Sequence, residues 1–178
     1  LHAVGSINAW LDRRELPRIS IRCGVHTGKV LVGNMGMQSR IKYGIVGDEC
    51  SMPGRLEELN KTYGTQLLVS ETTHTDLDIE GFVSRPIDFI RRSADAEESE
   101  QIFEVWKANR RPSKASLEEK AADLYTEAVE HYRHGRFEQA KEGFTAAGQA
   151  MQKLTGVQDV SSALMLQRCV SYAETPPP

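Results

Sequence analysis

No two cysteines stand close enough in this sequence to make a C-x-x-C unit. There are three in all, Cys23, Cys50 and Cys169, odd in number and widely spaced. That excludes a disulfide framework or a cysteine zinc site and fits a reducing compartment. No stretch approaches the roughly 18 apolar residues that a membrane helix needs, and the opening residues do not read as a signal peptide. A basic patch interleaved with aromatics is also missing, and with a net charge of -3 the expectation is no nucleic-acid partner. What remains is ordinary for a soluble globular protein, 39% hydrophobic and 26% charged. The 178 residues suffice for one domain of average size, or for one and a small appendix. The chain opens at Leu1, inside an amphipathic helix pattern. The expectation is a piece of a longer protein with room upstream for a membrane anchor, placed in the cytoplasm or on the cytosolic face of a membrane protein.

Residues 1–15 carry Leu1, Val4, Ile7, Trp10 and Leu11 at helical spacing, which predicts one buried face. Pro17 ends that helix. "ISIRCGVHTG" then alternates Ile19, Ile21, Cys23 and Val25 against Ser20, Arg22, Gly24 and His26. With a turn at Thr27-Gly28 leading into "KVLVGNMG", the pattern predicts a β-hairpin. "IKYGIVG" reads as another short strand. Ser51 to Tyr63 reads as a helix with Leu56 and Leu59 inward, and "TQLLVS" as a buried strand. Ser70 is placed to cap a short helix that begins with Glu71. "GFVSRPIDFIRR" and "EQIFEVWKA" are two further strands, with the acidic "SADAEESE" as a solvated loop between them.

At 109–116, "NRRPSKAS", the composition changes and a linker is expected. Beyond it every pattern is helical. Ala121, Leu124, Ala128, Val129 and Tyr132 line one helix, Gly135 breaks it, and Phe137, Ala140, Phe144 and Ala147 line the next. That is an αα-hairpin signature. Its G-x-F-x-x-A-x-x-x-F spacing resembles a tetratricopeptide unit, which cannot bury a solenoid core alone. A third helix near Val160–Ala173 would cover it, and "TPPP" ends the chain in an extended tail. The division is therefore 1–108, a linker at 109–116, and a helical extension at 117–178.

"IRCGVHTGKVLVGNMG", followed by "RIKYGIVGDECSMPGRLEELNKTYGTQLLVSETTH", resembles the C-terminal half of the class III adenylyl/guanylyl cyclase catalytic domain. The motifs come in the family's order: G-[IV]-H-T-G, G-N-x-G, aromatic–x–x–x–G-D, then R-L-E. The resemblance implies an α+β fold: part of a ferredoxin-like cyclase palm, its sheet mixed but mostly antiparallel with helices on one face, plus a three-helix C-terminal appendix. It implies a dimer with a second cyclase domain, with ATP or GTP as substrate and two Mg²⁺ or Mn²⁺ ions in the intact domain. In such a site the 3′-hydroxyl attacks the α-phosphate and pyrophosphate leaves, a reaction driven by positioning and charge neutralisation.

Carried over by position, Arg55 falls on the family's transition-state arginine and Ser51 where the family has Asn. A hydroxyl can donate one hydrogen bond there but reaches less far than a carboxamide. Gly44 falls on the purine-reading position, with no side chain to read with. Gly47 and Asp48 are the G-D of the motif beside the substrate, and Asp48 is not one of the metal carboxylates. The family's metal-binding Asp residues lie upstream of Leu1. Its triphosphate lysine aligns with Ser93, and the nearby cations are Arg91 and Arg92.

Each residue also has a plainer reading. Arg55 would pair with Glu58 on a solvated helix face, Ser51 would be an N-cap with Pro53 tolerated in the first turn, and Asp48 a turn residue. Arg91 and Arg92 would be a solvated loop-edge pair, Cys50 a core residue, and His26 part of a hairpin rather than a base. A different functional class stays open: a catalytically degenerate cyclase half that dimerises with an active partner domain and regulates it.

Overall fold

The computed structural model describes residues 2–37, 39–78, 80–92, 99–109 and 111–175. Ser93, most of the acidic loop and the terminal prolines lie outside the described residues. The first helix, α1 (His2–Asp12), is followed by strand β1 (Cys23–Val25), β2 (Leu31–Met37) and β3 (Arg40–Val46). A 3-10 turn, Asp48–Ser51, leads into α2 (Met52–Tyr63). Then come β4 (Leu67–Ser70), α3 (Glu71–Asp76), β5 (Phe82–Arg91) and β6 (Ser99–Lys107). Three helices complete the chain: α4 (Pro112–Arg133), α5 (Phe137–Thr155) and α6 (Val160–Glu174). The α+β expectation holds. One sheet has the order β1-β4-β6-β5, with β1 parallel to β4 and the other pairs antiparallel.

The expected hairpin is in a different place. β1 does not pair with β2; it lies beside β4, Cys23 opposite Leu67, while β2 and β3 form a separate two-stranded sheet with Gly33 opposite Gly44. The alternating run before Cys23 is not strand either. The carboxamide of Asn8 takes both backbone groups of Ile19, its Nδ2 donating to the carbonyl at 2.8 Å and its Oδ1 accepting the N–H at 2.9 Å. Those groups then have no need of a ladder. Nor is the apolar face of α1 buried: Ile7 and Trp10 keep 44% and 45% of their surface exposed.

Helix α2 lies directly on β1. A side chain at Gly24 would come within 2.1 Å of the Pro53 carbonyl oxygen, so this crossing admits only glycine. Met52, Leu56, Asn60 and Tyr63 form the buried face of the helix. Asn60 staples helix to strand, its Nδ2 donating to Cys23 O at 3.0 Å and its Oδ1 accepting from Thr65 Oγ1 at 2.8 Å. The helix ends at Gly64, which takes the left-handed conformation that a C-terminal cap requires (φ 68°). As expected, Ser70 caps α3, accepting from Thr73 N.

Helix α4 begins at Pro112, inside the stretch expected as linker, because proline is pre-set for the first turn of a helix. The three C-terminal helices then share one core with the sheet. Leu56, Leu68, Ile87 and Ile102 join Tyr125, Val129, Phe144 and Met165 in a single buried cluster. In β5 the register slips by one residue between Pro86 and Asp88, so Ile87 is extra. Such a bulge frees a backbone carbonyl, and the Tyr125 hydroxyl donates to Ile87 O at 3.3 Å.

Candidate functional site

The turn Gly47-Asp48 carries the chain from β3 into the 3-10 turn and so to the mouth of α2. Asp48, Glu49, Ser51 and Met52 from this segment and Arg92 from the end of β5 line a cleft of about 500 Å³. Ser51 does not cap the helix. Its own backbone is helical, and its hydroxyl turns back to donate to Asp48 O at 2.9 Å. The capping reading is therefore corrected: the preceding 3-10 turn already places Ser51 inside helical geometry, where its side chain cannot reach forward to the first amides.

Arg55 is half-buried one turn into α2. Its Nη1 donates to the backbone carbonyl of Arg92 at 2.5 Å, and among the described residues it has no carboxylate partner. The expected Glu58 pair is not formed. Arg92 is not a free cation: Nη1 meets Glu49 Oε1 at 2.7 Å, and Nη2 meets Glu100 Oε2 at 2.8 Å. Gly44 and Arg91 do not line the cleft. Gly44 sits in the β2–β3 sheet, and Arg91 is exposed on β5 opposite Ser99.

Sequence reasoning missed the group behind the cleft. His26, its side chain only 2% exposed, lies 2.5 Å through Nε2 from Glu49 Oε2 and 2.7 Å through Nδ1 from Ser70 Oγ. Its hairpin reading is corrected, since β1 turns away from β2. An ionised carboxylate only accepts, so Nε2 carries the proton towards Glu49. That hydrogen bond is the largest influence holding the Glu49 carboxyl below the usual carboxylate range; the Arg92 charge adds to it and partial burial opposes it. Arg92 is raised in turn, chiefly by its hydrogen bond to Glu100. The result is a run of paired side chains, Ser70–His26–Glu49–Arg92–Glu100, tying β4, β1, the 3-10 turn, β5 and β6 together. The local signal was faint: an acid directly after Asp48 and a histidine inside G-V-H-T-G.

Chemically the cleft offers an anion the Ser51 hydroxyl, beside the paired Arg92, while the half-buried guanidinium of Arg55 stands one turn further along α2, bonded to Arg92 O. Among the described residues no group of three or more His, Cys, Asp or Glu side chains could hold a metal ion. The resemblance places the carboxylates for its paired divalent ions upstream of Leu1, outside this chain. Also among the described residues, no helix is long and apolar enough to cross a membrane.

The sequence model of the adenylate and guanylate cyclase catalytic domain matches residues 5–98. An adenylate cyclase of Anabaena cylindrica is 37% identical over 91 residues, 51% of this chain and 18% of that protein. The terminal-differentiation-specific adenylate cyclase of Dictyostelium discoideum is 26% identical over 154 residues, 85% of this chain and 7% of that protein. The chain thus spans less than a fifth of the length of either relative. Among solved structures, a bacterial light-regulated adenylyl cyclase aligns with a TM-score of 0.38 and 18% identity, over 53% of this chain and 27% of that one. The ordered motifs read in the sequence and the match across more than half of its length agree: the chain belongs to the adenylate and guanylate cyclase catalytic domain family.

Proposed function

We propose that this chain is part of a nucleotide cyclase that converts a purine nucleoside triphosphate, ATP rather than GTP, to its 3′,5′-cyclic nucleotide and pyrophosphate. The observation that carries the reading is the family match over residues 5–98, which includes the mouth of α2 and its Arg55. Both relatives described above are named adenylate cyclases, which favours ATP. In this reading Arg55 neutralises charge developing at the α-phosphorus, and the Ser51 hydroxyl donates to a phosphate oxygen once it leaves Asp48 O. Gly47 and Asp48 shape the turn against the nucleotide, and Gly44 holds the family's purine-reading position on β3, outside the cleft itself. Arg91, exposed on β5 outside the cleft, would meet the outer phosphates only from beyond it, whereas Arg92 must first yield Glu49 or Glu100. Two divalent ions would neutralise phosphate charge in the intact domain, held by carboxylates outside this chain.

A second cyclase domain completes the assembly. The β2–β3 hairpin supports this, since Leu31, Met37 and Tyr43 keep 77%, 76% and 75% of their surface exposed. The test is Arg55→Ala in the full-length protein, assayed for cyclic nucleotide formation. Turnover should fall about a hundred- to a thousandfold, the loss typical of one preorganised charge-stabilising donor. Turnover equal to that of the parent protein sinks the catalytic role. It would favour the degenerate, regulatory half, a reading to which Ser51 bonded back on Asp48 and the bare Gly44 already lean.

A further inference from the structure

We propose that α6 is a clamp that sets the position of α2, making Ser161 and Arg168 positioning residues for Arg55. This rests on the reading of Arg55 given above. Helix α2 has 12 residues and behaves as a rod about 18 Å long. Its N-terminal turn carries Arg55, and its C-terminal end is gripped by α6. The last carbonyls of a helix have no partner within it; here Ser161 Oγ donates to Tyr63 O at 2.7 Å in a buried contact. At the adjoining cap, α6 stands so close that a side chain at Gly64 would come within 2.6 Å of Val160 Cβ.

The grip continues into the sheet. Tyr63 donates its hydroxyl to Asp88 Oδ2 at 2.5 Å, and Arg168 of α6 donates to the same carboxylate oxygen. Asp159, the residue before α6, receives Arg85 of β5 through two hydrogen bonds of 2.9 and 2.8 Å. At its other end α2 is tied to the residue that follows the same strand, Arg55 donating to Arg92 O. Both ends of the rod are thus referenced to β5, and at the C-terminal end the reference runs through α6. Moving α6 moves the rod lengthwise or pivots it about the Arg55 contact. A misplacement of about 1 Å at a reacting group costs on the order of a hundredfold in rate, so a small loosening at Tyr63 reaches the chemistry.

The experiment compares Ser161→Ala, Arg168→Met and Arg168→Lys with the parent in the full-length protein, reading amide exchange across residues 52–64 together with kcat and KM. Ser161→Ala removes one hydrogen bond and leaves the packing intact. It should speed exchange at the C-terminal end of α2 about three- to tenfold. Arg168→Met should do more, and Arg168→Lys should recover part of the protection. Exchange in α4 and α5 stays at the parent rate, and kcat falls about tenfold with KM within about twofold. Glu138→Gln on the solvent side of α5 is the control and changes neither. Parent-like exchange across α2 in both Ser161→Ala and Arg168→Met overturns the clamp. So does faster exchange with unchanged kcat in a protein whose activity Arg55→Ala removes. If Arg55→Ala itself is silent, the catalytic reading has failed, while the exchange data still decide whether α6 holds α2.

Discussion

Glu49 is the residue on which the cleft turns, because it faces His26 on one side and Arg92 on the other. Its carboxyl is held below the usual range in the folded chain, so its ionised form stabilises the fold. That contribution is present above the ordinary carboxylate pKa and disappears as pH falls through the lowered folded value. Glu49→Gln should therefore lower the urea midpoint at neutral pH, and the gap from the parent should close in acid. A gap that persists unchanged at low pH would mean that shape, not charge, is the contribution. Cys169 makes a second expectation. It has 0% of its surface exposed, and burial pushes its thiol up to about 11. In a thiol-labelling time course on the folded protein it should react last, well after Cys23 and Cys50. Labelling of Cys169 at the rate of the others would contradict the packing of α6 described above.

At this scale the legible part was what a local motif encodes. Arg55, Ser51 and the Gly47-Asp48 turn stand within a single run, and the structure gathers them about the mouth of α2. His26 and Glu49 are 23 residues apart, and Arg92 meets Glu49 from 43 residues away. No periodicity reports a pairing of that kind, because it depends on which strands become neighbours.

Among the elements, the β2–β3 hairpin has the most unusual surface. Among the described residues its strands pair only with each other, and apolar side chains stand on it unburied, Val32, Ile41 and Ile45 among them. A contact with a second cyclase domain through this hairpin predicts that Tyr43→Glu weakens self-association of the full-length protein in sedimentation. Monomer stability should stay within about 0.5 kcal/mol, as is usual for a surface change. An unchanged oligomer would remove the hairpin from the interface. The runs "KVLVGNMG" and "IKYGIVG" marked these strands but not that they pair with each other, and the alternating run before them is strand only over Cys23–Val25. The same limit explains α1, where helical spacing marked an apolar stripe without saying what, if anything, lies over Ile7 and Trp10. Ser70, by contrast, was legible as a cap because capping is settled within four residues.

For the whole molecule the decisive fact is the shared core. The change in composition at 109–116 marked a real switch from mixed to all-helical sequence, yet Tyr125, Phe144 and Met165 pack with Leu56, Ile87 and Ile102. Phe144→Ala should cost about 3–5 kcal/mol, and that loss should be felt by the sheet as well as by the helices. Fluorescence of Trp106 on β6 and far-ultraviolet dichroism of the helices should then report one coincident unfolding transition. Two separated transitions would show that the helices melt on their own. A reading of apolar spacing could list the faces of these elements, but it could not tell a helix that covers its neighbour helix from one that also covers a sheet.

The extra residue in β5 has one more consequence. In a regular strand, residues three apart point to opposite faces. The slip at Ile87 lets Arg85 and Asp88 both reach α6, where they meet Asp159 and Arg168. The strand therefore presents a plus-minus code and the helix its complement, read from one end only. Docked the other way round, α6 would set arginine against arginine and aspartate against aspartate. A single inserted residue thus gives the helix a polarity key that greasy packing alone does not supply.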